Sequence, residues 1–384
     1  MKIRIDSAAL LLPLYRAQGA LAADAAQVMA CVHIAASGGE RDPLGGIVVC
    51  AGDIDAMMTL NAQCDVIAPG VALVPGKALY SVVKALPPGS VVTLSSDEVT
   101  NRMTIEAGRS RYHLNGMAPA EFPLSLFASK ADDRHLLCDK SALAGMLSRV
   151  MFSVSGETSR PALCGVLIEV KPAGDGQAIL SAVTTDGHRL SKVERQVVTA
   201  DFDRVARKAL LHSHGADLLQ RICEGADPSV GVSFAGRDIV FASDNARLRV
   251  RQIDETFPDY ARVIPDDRGD VVLSMPVADL TSAMRRVMAL SAGKDVTLKM
   301  LASEGTVAMS MSHGFMGDAL EEVEAPACTV KRGAIGFNPR YLLDACRALG
   351  TDTVQIEASD EFSPCVVTSD EDPGAIYIVM PMRL

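Results

Sequence analysis

The sequence predicts an α+β protein made of three copies of one domain, each with two helices packed on mostly antiparallel strands. Three observations predict it: two amphipathic helix patterns that each occur three times, strand-like runs between them, and similar residues closing the first two copies. The first pattern, a polar or turn residue followed by apolar residues at helical spacing, covers 6–19, 139–151 and 276–290, with starts 133 and 137 residues apart. The second covers 76–86, 214–223 and 338–349, with starts 138 and 124 apart. Asp6, Asp139 and Asn338 are the expected N-caps, because a short polar side chain can accept from the first unpaired helix amides. Runs near 46–50, 90–95, 165–170, 237–242, 296–300 and 353–357, apolar or alternating and rich in β-branched residues, supply the strands. The first two copies close on Ala120-Glu121-Phe122-Pro123 and Glu255-Thr256-Phe257-Pro258, and the third on Met380-Pro381. Polar stretches at 128–134 and 265–269 put boundaries near residues 128 and 268, giving domains 1–128, 129–268 and 269–384. Repeats of this length are whole domains rather than solenoid units.

Composition agrees with several aliphatic cores. Of the 384 residues 48% are hydrophobic and 22% charged, whereas aromatics reach only 4% and Trp is absent, so Leu, Val, Ala and 17 Met must fill the interior. At the N-terminus a strand over 2–5 precedes a helix. Asp6, Pro13 and Arg16 break the apolar run there, against a signal peptide, and no run approaches the 18 apolar residues of a membrane helix. Nine cysteines, an odd number with no CxxC pair, read as reduced core residues of a cytoplasmic protein and not as a zinc site. The net charge of −10 argues against a protein that coats nucleic acid with a uniformly basic surface, but leaves room for a basic patch on an acidic body.

Motifs for chemistry are missing. The segment Gly70 to Lys77 has five residues between its glycines where a phosphate loop has four, and Ala78 stands where a metal-binding hydroxyl is needed. His212 and His214 could form a metal pair, but no carboxylate or cysteine lies at ligand spacing, so a solvated helix start is the expectation. Asp186-Gly187-His188-Arg189 could pair an acid with an imidazole; adjacent residues rarely face each other, and Asp-Gly is a turn signal. No catalytic residue, metal or cofactor is expected.

Several segments in order resemble the β sliding clamp of bacterial DNA polymerase III: Thr184-Thr185-Asp186-Gly187-His188-Arg189-Leu190, Phe257-Pro258-Asp259-Tyr260-Ala261-Arg262-Val263-Ile264-Pro265, and the terminal Tyr377-Ile378-Val379-Met380-Pro381-Met382-Arg383-Leu384. Gly108-Arg109-Ser110-Arg111-Tyr112 and Ser159-Arg160-Pro161 also resemble it. The resemblance spans essentially the whole chain. It implies a non-catalytic processivity factor: a head-to-tail homodimer closes a ring around duplex DNA, helices line the hole, and sequence-independent phosphate contacts let it slide.

On that reading the helices should be basic. The six windows hold ten basic residues, Arg16, Lys77, Lys84, Lys140, Arg149, Arg221, Arg285, Arg286, Arg340 and Arg347, against five acids, Asp6, Asp139, Asp217, Asp279 and Asp344. They balance at +5, which leaves the rest of the chain at −15. The resemblance also implies a groove where polymerase subunits, the clamp loader and repair proteins dock short linear motifs. In the second domain it matches Leu163, Thr185, Gly187, His188, Arg189, Leu190, Pro258, Arg262 and Val263. In the third it matches Tyr341, Pro364, Val379, Met380, Pro381, Met382 and Arg383. Apolar residues would form an adaptable pocket, and His and Arg would anchor backbone or carboxylate groups. Tyr112 would face Ala289 and Leu290 at the dimer seam.

Three stretches depart from the family pattern: 22–30 has no basic residue, 212–215 is less basic, and Ala289-Leu290 is a small pair at the seam. They fit a divergent clamp or an accessory paralogue. A clamp-like adaptor that binds partner peptides without stable DNA encirclement is the alternative.

Overall fold

The computed structural model describes the chain except residues 23–26, 40–41, 128–135, 175, 200–205, 225–227, 266–269, 291–295, 326–327 and 329–333. Both expected domain boundaries, near 128 and 268, and part of the 22–30 departure lie outside the described residues. Six α-helices occupy the expected windows: α1 Ser7–Ala20, α2 Gly76–Ala85, α3 Lys140–Val150, α4 Ser213–Cys223, α5 Val277–Val287 and α6 Pro339–Leu349. The capping residues act as their chemistry dictates. Asp6 accepts from the amides of Ala8 and Ala9 at 2.8 and 3.3 Å, Asp139 from Ala142 at 2.8 Å, and Asn338 from Arg340 at 3.0 Å. Gly350, left-handed at φ 65°, ends α6. Leu10 and Leu14 of α1, Leu79 and Val83 of α2, Met146 and Leu147 of α3, and Leu218 and Ile222 of α4 are buried, as are Leu280 and Met284 of α5 and Leu342 and Cys346 of α6. This is the aliphatic core that the composition called for.

The chain folds as two compact units, and the middle repeat contributes segments to both. The first comprises Met1–Ala144, Val197–Arg204 and His214–Gln252; the second comprises Gly145–Gln196, Val205–Ser213 and Ile253–Leu384. In the first unit a five-stranded antiparallel sheet runs Asp65–Ala68, Lys2–Asp6, Val91–Ser96, Arg102–Ala107 and Ser110–Asn115. A second sheet runs Ser229–Ala235, Asp238–Ser243, Ala246–Arg251, Ala56–Gln63, Asp42–Gly52, Cys31–Gly39 and Gly70–Pro75. Antiparallel pairing from Ala246↔Leu60 to Val250↔Ala56 joins the middle repeat to the first in one sheet.

In the second unit strands Asp270–Pro276, Thr353–Ala358, Cys365–Thr368 and Ala375–Val379 lead to Arg189–Thr199, with pairing from Arg189↔Val379 to Val193↔Ala375. Gln177–Thr185, Gly165–Gly174 and Arg207–His212 extend that sheet, and Gly317–Glu324, Thr306–His313, Leu298–Ser303 and Ile335–Phe337 form a separate four-stranded one. Among the strands that stand last in their sheets, with one neighbour each among the described residues, are Ser110–Asn115 in the first unit and Gly317–Glu324 in the second.

All nine cysteines are free, eight of them buried. Burial pushes the thiols of Cys138 and Cys346 up to about 12, which makes them poor nucleophiles and metal ligands. The segment resembling a phosphate loop is strand Gly70–Pro75 running into α2, and His212 and His214 are exposed at the start of α4. No described helix is long and apolar enough to cross a membrane, and no metal-binding cluster occurs among the described residues.

Candidate functional site

The family motifs of the second unit converge on one corner. Between strands Gln177–Thr185 and Arg189–Thr199, Asp186 closes the turn by accepting from the amides of His188 and Arg189 at 2.9 and 3.1 Å. Gly187 takes φ 91°, where any other side chain would be strained. Thr185 holds the turn from the other side: its hydroxyl donates to the Arg189 carbonyl at 2.7 Å and accepts from the Gly187 amide at 3.2 Å. The terminal strand reaches the same turn, because the Met380 amide donates to the His188 carbonyl at 2.9 Å and Val379 pairs with Arg189.

Arg189 is the hub of this corner. Its guanidinium donates to Asp186 at 3.0 Å, to Asp344 of α6 at 2.8 Å and to the Phe152 carbonyl at 2.6 Å. It also lies over the rings of Tyr341, at 4.3 Å, and Phe152, at 5.0 Å. Only 13% of the side chain is exposed. A planar cation held by two carboxylates and two rings is a rigid strut, so Arg189 positions the corner. His188 is exposed and stacks on Tyr341 at 6.4 Å.

The floor is apolar. Leu190 packs in a buried cluster with Leu167, Val183, Leu210, Phe257, Val366 and Ile378, and Leu163 and Val379 are also buried. Phe257 seats the 257–265 segment in this cluster, and the Tyr260 hydroxyl donates to the Glu169 carboxylate, which is 1% exposed. Burial alone would raise the Glu169 carboxyl, but hydrogen bonds from Lys208 and Tyr260 outweigh it and hold the group below its usual range. Burial and that same bond push the Tyr260 phenol far up. Above this floor Pro258, Arg262 and Val263 are exposed, with Arg262 bonded to Asp259 at 2.9 Å, and Pro364, Met380 and Pro381 are half-buried. Met382 is tied elsewhere: its amide donates to the Gly336 carbonyl at 2.8 Å and its sulfur accepts from Thr297. Arg383 is exposed at the C-terminus.

Sequence reasoning missed Phe152, Asp344, Glu169 and Tyr260 as parts of this corner. Asp344 carried a signal: it stands three residues after Tyr341, so both lie on one face of α6.

The basic helix positions divide. Lys77, Lys84, Arg285, Arg286, Arg340 and Arg347 are exposed, and Arg221 is half-buried over the Tyr15 ring at 5.1 Å. Three others do not face solvent, contrary to expectation. Lys140 is buried at the head of α3. Arg16, 3% exposed, donates to the carbonyls of Arg221, Ile222 and Glu224 at the end of α4. Arg149, 17% exposed, donates to the carbonyls of Ala348 and Leu349 at the end of α6, at 2.6 and 2.5 Å, and to Asp372 at 2.5 Å. Unpaired carbonyls and the negative end of a helix draw these guanidinium groups inward, so both are helix caps instead of DNA contacts. At the expected seam, Tyr112 is exposed on the open strand Ser110–Asn115, and Ala289 is exposed in the 3-10 turn Met288–Leu290.

Three repeats of two helices on antiparallel sheet, with an apolar corner around Arg189 and exposed basic helix positions, define the DNA-clamp class of protein. Comparison with known proteins narrows the class to one family. Models of the DNA polymerase III β subunit match in chain order: the N-terminal domain over residues 1–126, the central domain over 138–259 and the C-terminal domain over 261–383. The β sliding clamp of Caulobacter vibrioides is 30% identical over 389 residues and covers all of both chains. That of Pseudomonas aeruginosa is 28% identical over 324 residues, 83% of this chain and 84% of that one. Among solved structures, a Caulobacter crescentus β sliding clamp matches with TM-score 0.89 at 29% identity, covering 100% of this chain and 99% of that one. The Bartonella birtlesii sliding clamp, solved bound to griselimycin, matches with TM-score 0.90 at 27% identity over the whole of both chains. The chain belongs to the DNA polymerase III β-subunit family, the bacterial β sliding clamps. That family is a non-catalytic processivity factor.

Proposed function

We propose that two copies of this chain close head to tail into a ring around duplex DNA, and that the Arg189 corner tethers polymerase subunits, the clamp loader and repair proteins through short peptides. The chain then works in the cytoplasm as three domains, 1–128, 129–268 and 269–384. One observation carries the ring: two of the strands at the ends of their sheets, one in each unit, are complementary in charge. Ser110–Asn115 carries Arg111 and follows Arg109, whereas Gly317–Glu324 carries Asp318, Glu321, Glu322 and Glu324. An open strand edge is a template for pairing with another chain, and opposite charge selects which edge meets which. Lys77, Lys84, Arg285, Arg340 and Arg347 supply the DNA-facing charge, fewer groups than the sequence count suggested.

The test is topological. Protein loaded on nicked circular DNA should stay bound, and should be lost within minutes once the circle is cut. Equal loss from circular and linear DNA would overturn encirclement and favour the adaptor reading, towards which the inward-turned Arg16, Lys140 and Arg149 lean.

A further inference from the structure

We propose that Arg286 of one copy caps the C-terminal end of α2 in a second copy, closing the ring with the same contact that already occurs twice within the chain. This rests on the head-to-tail dimer proposed above.

Arg16 stands ten residues after the cap Asp6, and Arg149 ten residues after the cap Asp139. Arg286 stands ten residues after Pro276, which occupies the N-cap position of α5. Each arginine also follows a buried residue by three: Pro13, Met146 and Ala283. The three therefore lie on equivalent faces of α1, α3 and α5. The first reaches the end of α4 and the second the end of α6. Of the three helices of the second type, only α2 has no arginine of this set at its end.

Arg286 does not make the corresponding contact within its own chain. Its guanidinium donates to Ser282 at 3.0 Å and to Glu321 at 2.9 Å, and 54% of the side chain is exposed, where Arg16 is buried. Donor and acceptor are thus left over at opposite ends of the repeat series, as a head-to-tail contact requires. Glu321 belongs to the acidic edge strand already proposed to meet the Arg111 strand of the second copy, so both contacts fall on one interface.

The acceptors follow from the buried positions. Gly76, Leu79 and Val83 of α2 correspond to Gly215, Leu218 and Ile222 of α4, and to Pro339, Leu342 and Cys346 of α6. In that register Arg221 and Ile222 fall on Val82 and Val83, the acceptors at the helix end, Glu224 and Ala348, both fall on Ala85, and Leu349 falls on Leu86. The Ala85 and Leu86 carbonyls are the expected acceptors, and none of the described hydrogen bonds ends on them. A guanidinium can bridge two carbonyls at once while neutralising the negative helix end, which an ammonium does less well.

The dimer dissociation constant, measured by sedimentation of the full chain at graded concentrations, tests this. Arg286→Ala should weaken the dimer at least about tenfold, Arg286→Lys should weaken it less, and Arg285→Ala on the neighbouring position should change it by no more than about twofold. In addition, Arg286→Cys and Ala85→Cys proteins, once mixed, should cross-link between copies through a short bismaleimide, with the linked peptides identified by mass spectrometry. A wild-type dimer that Arg286→Ala leaves unchanged, or that Arg285→Ala weakens equally, would overturn the cap while the dimer stands. A wild type that stays monomeric throughout would overturn the dimer and the cap together.

Discussion

In the first unit, Asp53 closes the turn between strands Asp42–Gly52 and Ala56–Gln63 by accepting from the amides of Asp55 and Ala56 at 2.9 and 3.0 Å. In the second unit, Asp186 closes the corresponding turn through the amides of His188 and Arg189 with nearly the same distances. Each turn leads into a strand that pairs with the last strand of the following repeat, and each unit carries one arginine cap on a helix end. The difference lies in what the turns display. One shows Ile54 and Asp55; the other shows Gly187 and His188, with Tyr341 and Phe152 stacked against the neighbouring Arg189. The skeleton is shared, and the proposed recognition chemistry sits on one copy of it.

The largest expected effect probes the shared part. Arg16→Ala and Arg149→Ala should each lower unfolding stability by about 2–4 kcal/mol in chemical denaturation, because buried carbonyls lose a charged donor. Asp372, which Arg149 and Arg195 both hold, should place Arg149→Ala at the upper end. A negligible effect at one cap alone would break the equivalence of the two units.

Next is the difference itself. Arg189→Ala should weaken a fluorescent polymerase-derived peptide at least about tenfold, and Met380→Ala by about three- to tenfold, whereas Asp55→Ala in the other turn should leave affinity unchanged. Anisotropy titration separates the three.

The smallest effect is a pH dependence that Glu169 gives the second unit. Because the folded-state pKa of Glu169 is depressed, its contribution is fully present above the unfolded carboxyl value of about 4.3 and is lost as pH falls through the lower folded value. Between about pH 5 and pH 3 the wild type should therefore lose more stability than Glu169→Gln, as thermal melts at stepped pH would record.

The helices, their caps and the repeat were legible because they depend on neighbours in sequence: Asp6 and Asp139 cap amides two or three residues away. The Asp186 turn was legible for the same reason, since Asp186, Gly187 and Arg189 form a local turn. Roles set by distant partners were not. Arg16 finds its carbonyls 205 to 208 residues away, and Arg149 finds its own about 200 away, so a charge count on the helices assigned both to DNA. Arg189 looked like a ligand anchor because Asp344, 155 residues on, had been counted as an ordinary helix acid.

The most direct test of docking at one copy of a shared skeleton is amide hydrogen exchange on the full chain, with and without a polymerase-derived clamp-binding peptide. The account predicts slowed exchange at residues 185–190 and 379–383 and no change at 53–56. Protection of the 53–56 turn, or none at 185–190, would contradict it.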